Sequence, residues 1–194
     1  MPLEKSHRTD IAADTGTTLV EVLIAMLVLA TGVLAMAQMF ILSTKSNSTS
    51  RNDTLATVLA EQKLEQLRAL AYGFDMAGLP VSDINTDTSV SPPAADGGTG
   101  LQPSPATALQ QNTVGFVDHV DRNGAIVGNA AAPPATAVYT RRWSVEPLPT
   151  NPNNTLILQV LVTPLRDRGA ADQNNVARLQ GEARVMTIKT RKAQ

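Results

Sequence analysis

From residue 22 to residue 42 the chain is apolar at every position except Thr31, Gly32 and Gln38. These 21 residues, wound as a helix at about 1.5 Å per residue, span roughly 30 Å, the thickness of a bilayer core. A secretory signal peptide has a shorter apolar region with a small-residue cleavage site after it. Here Lys45, Ser46 and Asn47 follow, with no A-x-A exit, so the pattern predicts a retained single-pass helix. Lys5 and Arg8 precede the span and Lys45 and Arg51 follow it, so the positive-inside signal is weak. The expected topology is a short N-terminus inside and a large C-terminal part outside.

A second periodic stretch follows. Ala56, Ala60, Leu64, Leu67 and Ala71 recur on one helical face, and Leu55, Val58 and Leu59 widen the stripe. Glu61, Gln62, Lys63, Glu65, Gln66 and Arg68 cover the other side, the pattern of an amphipathic helix with one face on a core. Gly73 is the expected stop. Residues 43–52, S-T-K-S-N-S-T-S-R-N, have poor helix propensity, so a linker and a continuous helix stand level.

Beyond residue 75 the period changes. Residues 91–108 are dense in Pro, Gly, Ala, Ser and Thr, a loop composition. Strands are expected at 113–120, around Y-T-R-R-W-S-V-E-P, at 155–163 and at 181–190. Tyr139, Arg141, Trp143 and Val145 share one face, and Thr140, Arg142, Ser144 and Glu146 share the other. Leu156, Leu158, Val160 and Val162 form the clearest apolar face. Two of the links suit antiparallel hairpins, and residues 147–154 are rich in turn formers. A sheet burying one face against Ala60, Leu64 and Leu67 makes an α+β head on a helix.

Composition narrows the chemistry. There is no cysteine, so disulfides and thiolate metal sites are excluded. Net charge is -1, and no global field draws the chain to nucleic acid. Aromatics are 3%, so the core is expected to be aliphatic and small. Asp83, Asn85 and Asp87 spell D-x-N-x-D, but an EF-hand loop needs glycine at its sixth position and an acid at its twelfth, where Thr88 and Ala94 stand. A solvated polar loop is expected there. Of the two histidines, His7 lies ahead of the apolar run. His119 sits between Asp118 and Asp121 without a G-x-S-x-G or H-E-x-x-H motif and is expected at the surface. Arg141, Arg142 and Trp143 are residues of the kind that stack on a base or a glycan. The second basic cluster is Lys189, Arg191 and Lys192. Trp143 is expected to pack in the head with the two arginines in water. No catalytic residue, metal ligand set or cofactor is expected, and nucleic acid is not an expected partner.

One residue stands out: Glu21, an acid at the mouth of the apolar run. At the end of a span a carboxylate is tolerated as a favourable charge at a helix N-terminus, or it awaits a cation from elsewhere. Gly16 followed by T-T-L-V-E-V-L-I-A-M resembles the prepilin signature of type IV pilins and pseudopilins. In that family a polar leader ends in glycine, and a membrane aspartyl peptidase cuts after it. The fifth mature residue is a glutamate, followed by about twenty apolar residues. The resemblance implies a leader of residues 1–16 and cleavage between Gly16 and Thr17. It implies N-methylation of Thr17, and pairing of Glu21 with the N-terminal amine of a neighbouring subunit. It also implies an assembly helix at 17–42, its amphipathic continuation at 43–72, a pilin-fold α+β head at 73–194, and one continuous helix from about Thr18 to Tyr72, roughly 80 Å long. The chain departs from the family at two places: Thr17 stands where phenylalanine is usual, and Asp14 and Thr15 stand where lysine or arginine precedes the glycine. Residues 60–70, A-E-Q-K-L-E-Q-L-R-A-L, resemble the segment after the anchor in minor pilins of the PilV kind. The implied role is a structural subunit, not an enzyme. Its partners would be other pilin subunits, the prepilin peptidase, the inner membrane and the pilus assembly platform, with the head in the periplasm and then in a surface fibre. A minor pseudopilin of type II secretion and a signal-anchored periplasmic binding module are the alternatives.

Overall fold

The computed structural model describes residues 17–165 and 181–192. Helix α1, Leu19–Ala69, takes 51 residues and runs through 43–52 without a break, so the linker alternative gives way. Threonine hydroxyls in this region bond backward instead of competing with the helix. Thr44 Oγ1 donates to the Phe40 carbonyl, Thr54 Oγ1 to Ser50 and Thr57 Oγ1 to Asp53, each at 2.9 Å. The chain divides into two compact units, Met1–Ser46 and Asn47–Gln194. In the first, the helix is apolar and exposed.

In the second unit, β1 (Tyr72–Phe74) pairs antiparallel with β2 (Pro80–Ser82) as a small ribbon. A five-stranded sheet holds β3 (Val117–Val120), β4 (Ile126–Gly128), β5 (Tyr139–Pro147), β6 (Thr155–Pro164) and β7 (Ala183–Thr190) in the order β4-β3-β5-β6-β7, antiparallel throughout. The α+β architecture expected from the sequence is present. Expected strands lie within about two residues of β5, β6 and β7, while β1, β2 and β4 were not anticipated and β3 starts later than expected. Residues 113–116 turn instead, with the Phe116 N–H donating to the Thr113 carbonyl at 2.9 Å.

Register explains the core. Trp143 lies opposite Val160, which lies opposite Val185; Arg141 lies opposite Val162, and Val145 opposite Leu158. This face packs on Ala56, Leu59, Ala60, Leu64 and Leu67 of α1, all buried. Burial of a Leu or Val side chain is worth about 1.5–3 kcal/mol. The helix ends at Ala69, where Lys189 Nζ donates to the Arg68 carbonyl at 2.5 Å, a cation on the last turn.

Inside this aliphatic layer lies a charge cluster. Asp118 Oδ2 accepts from Lys63 Nζ at 2.8 Å and from Arg141 Nη2 at 2.9 Å, and its Oδ1 accepts from Arg141 Nε at 2.7 Å. Lys63 also donates to the Thr88 carbonyl, and its ammonium stands 3.8 Å from the centre of the Trp143 ring. All three charged side chains are at most 1% exposed. Lys63 was assigned to the polar side of the helix. It lies inside because it falls seven residues after Ala56 and four before Leu67, on the buried stripe itself.

The opposite face of the sheet is covered over β3 and β5, while on β7 Met186 and Ile188 of that face stay exposed. The expectation of arginines in water and a surface histidine is overturned: Arg141, Arg142 and His119 are 1%, 2% and 0% exposed. Trp143 is buried, as expected. The irregular stretches that flank β3 and β4, residues 99–116 and 129–135, supply the cover on β3 and β5. Asn112 Oδ1 accepts from Arg142 Nε at 2.7 Å, Ser104 Oγ accepts from the Val145 N–H at 3.1 Å, and the Phe116 carbonyl accepts from the Trp143 N–H at 3.1 Å. His119 Nε2 lies 2.8 Å from the Ala130 carbonyl, and its Nδ1 lies 3.1 Å from Thr140 Oγ1.

Two outcomes follow, both read from the fluorescence of Trp143, the single tryptophan, during chemical denaturation in detergent micelles. Asp118→Asn leaves two buried cations without a carboxylate and should destabilise the fold by about 3–5 kcal/mol. Lys63→Met keeps the Asp118–Arg141 pair and should cost far less. Burial lowers the Lys63 pKa to about 8, with Asp118 opposing and Arg141 adding to the shift. The unfolded chain therefore holds more protons than the folded one between about pH 8 and 10.5, and stability rises with pH across that window. The wild type should gain stability relative to Lys63→Met as pH rises from 8 to 10, and equal slopes would contradict the assignment.

Candidate functional site

Thr18 and Glu21 build the start of α1. Thr18 Oγ1 accepts from the Glu21 N–H at 3.3 Å, and the Thr18 carbonyl accepts from the Val22 N–H at 3.2 Å. Thr18 is thus the N-cap and Glu21 the third helical residue, the T-x-x-E spacing of a capping box. The Glu21 carboxylate is exposed in the first turn, where the helix dipole favours negative charge. Thr17 is exposed immediately ahead of the cap. Gly16, His7 and the rest of residues 1–16 lie outside the described residues. The structure therefore places Thr17 and Glu21 together at one helix end.

From Leu19 to Leu42 every residue is exposed, including Leu23, Leu27, Leu34, Phe40 and Ile41 at more than half of their surface. The segment is long and apolar enough to cross a membrane, and a contiguous apolar surface of this extent needs a non-aqueous neighbour. Its internal polarity is partly satisfied locally: Thr31 Oγ1 donates to the Leu27 carbonyl at 3.0 Å and to the Val28 carbonyl at 2.9 Å, which suits a hydrocarbon environment.

The other sequence candidates have structural occupations. Asp83 Oδ1 accepts from the Asn85 and Thr86 N–H groups at 3.2 and 3.0 Å, and Oδ2 accepts from Thr86 Oγ1 at 2.7 Å. Partial burial opposes its charge, and these hydrogen bonds outweigh that and hold its carboxyl below the usual range. Asp87 Oδ1 accepts from the Ser89 N–H and hydroxyl at 2.8 and 2.6 Å. The D-x-N-x-D stretch is a pair of turns closed by their own acids. Gly98 and Gly100 press against it: a Cβ on Gly100, at φ +49°, would stand 2.6 Å from the Asp83 carbonyl oxygen. Among the described residues no three His, Asp or Glu side chains form a metal-holding group. Arg142 and His119 hold the covering segment to the sheet.

The sequence reading missed the Lys63–Asp118–Arg141 cluster as a unit, although its parity was visible. It also missed Thr18, whose T-x-x-E spacing is a cap signal. The cluster is sealed from solvent and offers no approach to a substrate. Compared with known proteins, the chain matches no family model, no curated protein and no solved structure.

Proposed function

We propose that this chain is a pilin-like assembly subunit. It is inserted in the bacterial inner membrane through α1, cleaved after Gly16, and incorporated as a minor pilin into a type IV pilus. The observation that carries the reading is the conjunction at the helix start. The apolar part of α1, exposed from Leu19 to Leu42, has its one acid, Glu21, in the first turn, five residues after a glycine, and the same helix continues into the core of an α+β unit. The role is structural, and the partners are other pilin subunits, the prepilin peptidase and the assembly platform. The mature Thr17 amine, N-methylated, supplies the cation for Glu21 of a neighbouring subunit. Removing one charge of such a desolvated pair costs about 3–5 kcal/mol.

The Thr18 cap favours a second reading. As a capping-box acid, Glu21 needs no cation, and the chain is then a signal-anchored periplasmic module. Two experiments separate the readings. Coexpression with a prepilin peptidase should yield a mature chain starting at Thr17 by mass spectrometry, and a bulky residue at Gly16 should block the cut. A full-length chain beside an active peptidase would reject the pilin reading. Glu21→Ala and Glu21→Gln should be cleaved normally, remain in the membrane and be missing from sheared surface fibres. Equal incorporation of wild type and both variants would reduce Glu21 to a cap. Recovery with a type II secretion complex in place of a pilus would identify a pseudopilin.

A further inference from the structure

A groove of about 410 Å³ lies between the β1–β2 ribbon and the turn that joins β5 to β6. Phe74, Ile84 and Leu156 give it an apolar floor, Pro147 and Pro152 stiffen one wall, and Arg191 is its one charged lining residue. Arg191 is held in place by neutral groups. Its Nε donates to the Asn153 carbonyl at 2.7 Å, and its Nη1 donates to the Val81 and Gly73 carbonyls at 2.8 and 3.1 Å. The guanidinium carbon stands 4.1 Å from the centre of the Tyr72 ring and 5.9 Å from that of Phe74. Among the described residues no carboxylate pairs with Arg191, and Nη2 has no hydrogen-bond partner. Lys192 follows in sequence, and the nearby acids Asp75 and Asp83 are each turned onto backbone N–H groups of their own turns, Ala77 and Leu79 for Asp75 and Asn85 and Thr86 for Asp83. A half-buried guanidinium oriented by carbonyls and rings, with donors to spare, is arranged for bidentate or end-on capture of an oxyanion.

We propose that this groove docks an extended acidic peptide segment of a partner protein, one carboxylate on Arg191 and an adjacent apolar side chain over Phe74 and Ile84. Charge complementarity selects the carboxylate, and the apolar floor selects its neighbour. A nucleic-acid strand would need a row of cations to follow its phosphates, whereas this groove has one. Rigid proline walls reduce the ordering cost of binding. The docking function is separate from cleavage and from helix assembly, so its failure leaves those readings intact.

The test uses the full chain in phosphatidylcholine nanodiscs at physiological salt, titrated with a fluorescent short peptide of alternating Asp and Leu and with its Asn/Leu counterpart. The Asp peptide should bind at least about tenfold more tightly than the Asn peptide. Arg191→Gln should abolish that preference. Because Arg191 also ties the ribbon, Ile84→Glu provides the second arm: Ile84 is about half exposed, so the fold should survive, and the added charge should repel the Asp peptide. Equal binding of both peptides, no binding of the Asp peptide, or unaltered binding to Ile84→Glu would overturn the proposal. So would groove-dependent binding of oligothymidylate or phosphatidylglycerol vesicles in preference to the peptide.

Discussion

The seat of the helix on the sheet depends on one carboxylate. Asp118 accepts from both Lys63 and Arg141, so a residue of α1 and a residue of β5 meet on a third residue of β3. The aliphatic contacts around it supply more energy but less specificity. Ala56, Ala60, Leu64 and Leu67 repeat at helical spacing, and a helix shifted by one turn would still bury alanine and leucine. It would also strand an ammonium or a carboxylate in a dry layer. Buried ion pairs are weak sources of net stability and strong penalties against alternatives. Two cations for one anion is an imperfect balance, and the Thr88 carbonyl and the face of Trp143 absorb part of the excess.

The helix is asked to satisfy two different surroundings with one continuous hydrogen-bond ladder. Up to Leu42 it is apolar around its whole circumference, which leaves no side for water. From Ala56 onward it is apolar on one stripe, which leaves one side for a sheet. The change is made by residues 43–52, whose serines, threonines and asparagines are poor helix formers. There and just beyond, the hydroxyls of Thr44 and Thr54 bond to carbonyls one turn back, an arrangement that leaves the ladder's N–H groups uncontested.

Much of this was legible in the sequence, and the parts that were not share a cause. The helix stripe, the parity of β5 and β6 and the apolar span follow from periodicity, which depends on one element at a time. Lys63, His119 and Arg142 were placed in solvent because polar residues usually are. Their burial depends on partners outside their own elements: Asp118, Ala130 and Asn112. The last two stand in irregular stretches on either side of β3 and β4. These pack because glycines such as Gly100 permit close backbone approach and because single polar atoms find carbonyls on β3 and β5. Composition reports propensity, and it cannot report which surface a loop is required to cover. At the helix start the pattern spoke more directly, since glycine, threonine and glutamate are local signals. Even there, the cap at Thr18 was visible in the spacing and was overshadowed by the acid beside it.

The order of synthesis gives the sheet topology a kinetic meaning. Helix α1 is made first, yet its partners in the core come late. The Leu59 carbonyl meets Arg141 across 82 residues, the Arg68 carbonyl meets Lys189 across 121, and Asp53 accepts from the Gly181 N–H across 128. Contacts of such separation form slowly, because a long stretch of chain must be ordered before any of them contributes. A nascent chain therefore carries a bare apolar stripe on α1, with Lys63 in its midst, until β3, β5 and β6 have emerged. Lys63 puts a charge within that stripe before Asp118 is present to receive it, and burying such a charge unpaired is costly.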